Sequence, residues 1–318
     1  MRRLAPLLGA TFLLAAGAAS AAQPWGREYF PNVPLTTQDG KVVHLYDDLL
    51  KDKVVAIDLI YTHCQFSCPL ETARLAQVQR LLGDRVGKEI FFYSITLDPK
   101  RDTPEVLKAY AEKYHVGPGW LFLTGSPEDI KLLARKLGLY FDAVSANRDG
   151  HTPDLMVGNV ATGQWMRNSA VDNPRLLART ITTFLDGYKK PASAERSYTE
   201  ARELSISRGE YLFSTKCAVC HTIGGGDLIG PDVMGVTRVR DRAWLARYVA
   251  APDRMLAEGD PIAKELYARY REINMPNLSL GKDDVAALLD YIDARSAAER
   301  KDTGSGGGTG GGGLIAKP

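Results

Sequence analysis

All four cysteines of the 318-residue chain fall in two close pairs, Cys64 with Cys68 and Cys217 with Cys220, so none is left for a long-range disulfide. The second pair reads Cys217-Ala-Val-Cys220-His221. In C-x-x-C-H the two thiols can add to the vinyl groups of a haem while the adjacent imidazole reaches the iron from one side. Zinc would need further Cys or His nearby, and from residue 204 onward the chain has only this set. The other face of the iron calls for a soft ligand, and Met234, Met255 and Met275 are the candidates. Met275 sits in Asn274-Met275-Pro276-Asn277-Leu278, an irregular segment ahead of a terminal helix, where a loop can wrap to the far side of the ring. Met234 follows His221 too closely to be brought round, and Met255 reads as part of a polar turn. The alternative for Met275 is an ordinary core methionine, leaving His221 as the sole protein ligand.

The first pair lies in Tyr61-Thr-His63-Cys64-Gln-Phe-Ser-Cys68-Pro69, where a strand meets a helix start. Cysteines four apart on a helix can face the same way, and the positive end of the helix dipole favours thiolate at Cys68. Two such sulfurs can hold a soft metal such as Cu(I), or cycle between dithiol and disulfide; a purely local disulfide is the structural alternative. His63 abuts Cys64, either as a ligand or as a shaper of the loop, while His44 and His115 read as surface or packing residues. Asp98 and Asp102 either hold the loop near the thiols or cap helices.

The elements that must position these groups are visible in the hydrophobic pattern. Val54 to Tyr61 and Ile90 to Leu97 read as strands buried on both faces. Between them Pro69 suits a first helical turn, Leu75, Val78 and Leu82 recur at helical spacing, and Gly83 suits the stop. Three further helices begin at Thr103-Pro104, Ser126-Pro127 and Asn173-Pro174, with apolar positions Val106, Tyr110, Ala111, then Ile130, Leu133, Leu137, then Leu177, Ile181, Phe184. Trp120 to Leu123 is a short strand, and Leu155 to Val160 with Gln164 to Arg167 reads as a hairpin. The later region has helical patterns around Ile206, Gly209 and Phe213 and in a last helix through Val285, Leu288, Leu289 and Ile292.

The expected organisation is a leader over 1–22, an α/β domain over 25–188, a polar Pro-containing linker over 189–203, an all-α domain over 204–298 and a Gly-rich tail over 299–318. Arg2 and Arg3, an apolar stretch to Ala16 and small residues to Ala22 have the order of a secretory signal; the alternative is an uncleaved membrane anchor, though Pro6, Gly9 and Gly17 interrupt it. The formal charge is +2, falling to about zero without Arg2 and Arg3. That balance excludes a nucleic-acid-binding footprint. Outside the cytoplasm, in the periplasm, thiols oxidise unless reduced or metallated.

Two resemblances sharpen this reading. Gly209 to Phe213, the C-x-x-C-H, Gly230-Pro231 and the Asn-Met-Pro segment before an amphipathic helix resemble the c-type cytochromes in order and spacing. The resemblance implies an all-α class I-like cytochrome c domain with one covalent haem, His221 and Met275 as axial ligands, and Gly209 and Tyr291 at the crossing of first and last helices. The Tyr61 to Pro69 run, then Thr96-Leu97-Asp98-Pro99 through Asp102-Thr103-Pro104-Glu105, then His151, resemble the SCO/SenC family of thioredoxin-like copper proteins. That family implies one copper held by Cys64, Cys68 and His151. Here Gln65 follows the first cysteine, where the family often has Pro, and Gly150 precedes His151, where it often has Asp. The implied function is a periplasmic metallochaperone for the dinuclear copper site of a respiratory cytochrome oxidase, with electron transfer through the haem. Its partners would be the oxidase's copper-bearing subunit and other periplasmic cytochromes or copper donors, with the membrane involved only if the leader is retained. Two alternatives stay open: a thiol-disulfide reductase, an enzyme with Cys64 and Cys68 as its catalytic redox pair, and a plain electron carrier with a docking domain. The linker predicts two domains in frequent but transient contact.

Overall fold

The computed structural model describes residues 25–140, 152–185 and 206–304. The leader, His151, the linker over 189–203 and the tail from residue 305 lie outside the described residues.

The first half is built on one sheet. β1 (Pro34–Thr37) and β2 (Val42–His44) form an edge hairpin, followed by β3 (Val54–Ile60), β4 (Ile90–Thr96), β5 (Trp120–Thr124), β6 (Asp154–Asn159) and β7 (Gln164–Ser169). Among the described residues the strand order is β2-β1-β5-β4-β3-β6-β7. β3, β4 and β5 run parallel, and β6 pairs antiparallel with β3. Every residue of β3 is buried, as its mostly apolar run requires of a central strand covered on both sides; its one charged residue, Asp58, accepts from the Ser94 hydroxyl at 2.6 Å. On one face Val54, Ala56 and Ile60 pack under α1 (Cys68–Leu82), α2 (Pro104–Lys113) and α4 (Pro174–Leu185). On the other, Val55, Ile57 and Leu59 pack under α3 (Pro127–Lys136) and a wide helical turn at Leu45–Leu50.

Caps set the helix starts. Thr103 and Ser126 accept from the backbone N–H three residues on, each followed by Pro, and Asn173 Oδ1 accepts from Arg175 N–H. One side chain departs from the pattern: Val106 is exposed, and Leu107 takes its place in the core. The β1–β2 edge escapes the sequence reading because its strands are short and only half apolar.

The second half is helical, with no strand among its described residues: α5 (Arg208–Leu212), continued by a wide turn Phe213–Cys217, α6 (Val236–Val239), α7 (Arg242–Ala250), α8 (Pro252–Ala257), α9 (Pro261–Arg269) and α10 (Lys282–Gly304). α10 runs past residue 298, where the sequence suggested a tail, to Gly304. It buries Val285, Leu288, Leu289 and Ile292 against α5 and α7. At the α5 crossing, a Cβ on Gly209 would stand 2.1 Å from the Ala287 carbonyl oxygen, so only glycine fits.

Candidate functional site

The chain leaves β3 at Ile60, turns through Tyr61 to Ser67, and enters α1 at Cys68. Asp102, wholly buried, pins this turn: its carboxylate accepts from Thr62 N–H at 3.1 Å and from the hydroxyls of Thr62 and Thr96, each at 2.5 Å. The cap of α2 is Thr103, so Asp102 is a loop-holding residue rather than a helix cap. His63 points outward to Arg101 Nη1 at 2.9 Å and to Asp98 at 3.6 Å, and its ring packs on Tyr61. That arrangement shapes the loop surface beside the thiols. His44 and His115 are exposed, as the sequence suggested.

Cys64 and Cys68 are both buried thiols whose side chains meet in a hydrogen bond, so the four-residue spacing does face them together. The expected thiolate at Cys68 is not what the surroundings favour. Burial first, then the bond with Cys64 and the nearby Glu71 carboxylate, push the Cys68 thiol well above its ordinary range. Loss of solvation outweighs the helix dipole, and a soft cation replacing the protons would relieve it. Among the described residues no group of three His, Cys, Asp or Glu gathers as a metal cage. His151, the third ligand implied by the resemblance, is outside the described residues. β6 begins at Asp154 and pairs antiparallel with β3, which brings its first residues to the end of the sheet where β3 hands on to Cys64.

In the second half, His221 and Met275 line the same two cavities, of about 340 and 80 Å³, whose shared walls include Pro231, Tyr248, Leu266 and Tyr270. Cys217 borders one and Cys220 the other. His221 Nδ1 lies 2.8 Å from the Pro231 carbonyl oxygen; donating its N–H there leaves Nε2 as the lone-pair nitrogen. Burial lowers the imidazole's proton affinity, which keeps that nitrogen available. A Cβ on Gly230 would meet His221 Cε1 at 2.6 Å, so this glycine keeps the ring's place clear. An apolar slot with two thiols on its rim, an imidazole and a thioether both on its walls, fits a haem. Met234 lines neither cavity, and Met255 is buried in α8 rather than lying in a polar turn.

The two halves touch at these sites. Pro69, bonded to Cys68, lines the smaller of these two cavities with His221 and Met275. Val219 is buried within the first half's core, with Cys220, Ile229, Ile273 and Leu278 packed against it. Burial above all, with Cys220 acting in the same sense, holds the Tyr114 phenol above its ordinary range. The linker suggested only frequent but transient contact; which residues meet was not legible, because they are separated by some 150 positions or more and individually read as core.

Comparison with known proteins matches the two halves to two different families. The SCO1/SenC family model matches residues 26–157 and the Cytochrome c family model matches residues 206–296. An SCO2-like protein of Rickettsia felis is 29% identical over 160 residues, covering 48% of this chain and 73% of the relative. The SCO1 protein homolog of Bacillus subtilis is 35% identical over 128 residues, covering 39% of this chain and 64% of the relative. Among solved structures, an SCO1/SenC family lipoprotein from Bacillus anthracis aligns at 28% identity with a TM-score of 0.42, covering 50% of this chain and 95% of that one. Copper-bound ScoI of Bradyrhizobium japonicum aligns at 26% identity with a TM-score of 0.39, covering 48% and 96%. Among the described residues no helix is long and apolar enough to cross a membrane.

Proposed function

Starting from a chain that joins an SCO1/SenC domain to a cytochrome c domain, we propose that this is a periplasmic copper-binding protein with one covalent haem, acting in assembly of the copper site of a respiratory oxidase. The observation that carries the reading is the Cys64–Cys68 pair: two buried sulfurs in mutual contact at the end of a central strand, held there by Asp102. His151 is the third ligand, and the leader over 1–22 is a secretory signal. Cys217 and Cys220 would attach the haem, and His221 and Met275 would hold its iron. When bound, haem supplies a one-electron centre, and thioether ligation favours its reduced form. A one-electron centre matches the Cu(II)/Cu(I) couple in a single step.

The second reading, a thiol-disulfide reductase with Cys64 and Cys68 as catalytic pair, draws on the same sulfur contact. Reducing a disulfide takes two electrons and two protons, so a single haem would have to be re-reduced between two transfers. Metal analysis of protein from copper-supplied cells separates the readings. One copper per chain, lost in Cys64→Ser, Cys68→Ser and His151→Ala but kept in His63→Ala, supports the metallochaperone. Full copper occupancy in His151→Ala overturns the ligand set, and redox-active thiols with no copper transfer the assignment to the reductase.

A further inference from the structure

Interfaces between domains of one chain are mobile by default unless they are large and hydrophobic. Here specific hydrogen bonds and a buried apolar contact fix the seat. Asn277 N–H, two residues past Met275, donates to the carbonyl oxygen of Gln65, inside the loop between the two thiols, at 3.0 Å. Arg74, on α1 and only 4% exposed, donates from Nη2 to the Thr215 carbonyl oxygen at 2.7 Å, two residues before Cys217. Val219 is buried in the shared core, and Leu278 packs against it. The segments that supply the haem's proximal and distal ligands are thus the same segments that seat on the thiol loop and the first turns of α1.

We propose that the cytochrome half is docked on the thiol site rather than merely tethered to it, and that the Gln65–Asn277 link makes the Met275 segment respond to what Cys64 and Cys68 hold. Any adjustment of the Cys64-Gln65-Phe66-Ser67-Cys68 turn as its sulfurs close on a metal or on each other pulls on the backbone of the haem's methionine loop. Coupling of this kind is reciprocal: the haem's oxidation state changes metal affinity at the thiols by the same factor. The inference rests on reading Cys64 and Cys68 as the metal and redox site.

The test uses the full haem-bearing chain and Cd(II), a soft cation that binds thiolates without exchanging electrons with the iron. Cd(II) displaces one proton from each of the two thiols to solvent, so net charge at the site is unchanged and a haem response reports geometry. The ferrous-to-ferric ratio at a fixed applied potential is compared for the dithiol, disulfide and Cd(II)-loaded forms. The expected result is a change of about fivefold or more between dithiol and loaded forms, the usual lower range of coupling between two sites. In Arg74→Met, which unclamps the interface but keeps the buried volume, the change falls to less than half of that. Leu278→Ser serves the same purpose if Arg74→Met does not fold. Equal ratios in all three forms of the intact chain overturn the coupling, as does an undiminished response in the interface variants. Cd(II) uptake that survives Cys64→Ser and Cys68→Ser refutes the site itself, whereas thiol-dependent uptake without a haem response refutes only the coupling.

Discussion

At the scale of single residues, the two methionines that matter differ in what surrounds them. Met275 faces the cavity that His221 also lines, so Met275→Ala should abolish the thioether-to-iron charge-transfer absorption and lower the haem potential, since a thioether favours ferrous iron. Met255 is buried in α8; Met255→Ala should leave that absorption intact while costing about 2–5 kcal/mol of stability by denaturant titration, the range for buried large-to-small changes. Loss of the band in Met255→Ala or Met234→Ala instead would reassign the ligand. Cys68 carries a pH prediction. Its pKa is raised above the ordinary 9.0 in the folded protein, chiefly by burial, so the native state holds its proton where the unfolded chain does not. The contribution to stability is complete below pH 9.0 and declines as pH climbs from there toward the folded value. Metal-free, thiol-reduced protein should therefore lose melting temperature above pH 9.0, and Cys68→Ser should flatten that decline.

At the scale of elements, the thiol loop is stabilised by a junction of three chain segments. Asp102, just before α2, accepts hydrogen bonds from Thr62 after β3 and from Thr96 at the end of β4. Hydrogen bonds to a charged group contribute roughly 1.5–3 kcal/mol each when buried. Asp102→Ala removes the acceptor for all of them, so it should destabilise the first half by several kcal/mol and weaken copper retention, although Asp102 is not a ligand. Asp102→Asn keeps one acceptor oxygen and should recover part of both. Copper stoichiometry alongside urea unfolding checks this; unchanged retention in Asp102→Ala would show that the loop holds its shape without the junction. The haem half has its own fixed crossing, where Gly209 admits the Ala287 backbone and brings α5 against α10.

At the scale of the whole molecule, the consequence of docking is a short route between the centres. Pro69 adjoins Cys68 through the chain and borders the haem-side cavity through space. One-electron exchange between haem iron and a copper at Cys64 and Cys68 should then proceed within one molecule, at a rate independent of protein concentration. Rapid mixing of ferrous-haem protein with stoichiometric Cu(II) over a dilution series measures it, Fe(II) and Cu(II) giving Fe(III) and Cu(I). A rate that rises in proportion to concentration would mean that the two centres meet only between molecules, and that the fusion serves joint delivery to the oxidase.

Local signals in the sequence were enough for most of the first half's elements and for candidate donor atoms. Pro after Thr103, Ser126 and Asn173 marks helix starts because a missing N–H costs nothing in the first turn. The apolar run of β3, interrupted only by Asp58, marks a central strand because burial on both faces favours it. C-x-x-C-H points to haem attachment by spacing alone, whereas C-x-x-x-C leaves a soft-metal site, a redox dithiol and a local disulfide open. What depends on distant residues was not readable in this way. The role of Asp102 is settled by Thr62, 40 residues away, and capping and loop-holding look alike until that partner is in place. The protonation preference of Cys68 is decided by desolvation, which is a property of the packed interior and opposes the helix-dipole argument drawn from its position. The contact between Arg74 and Thr215 joins residues 141 positions apart. Linker composition describes only how far two domains can move, whereas the contacts of α1 and the thiol loop with the segments at Thr215 and Asn277 decide where they rest.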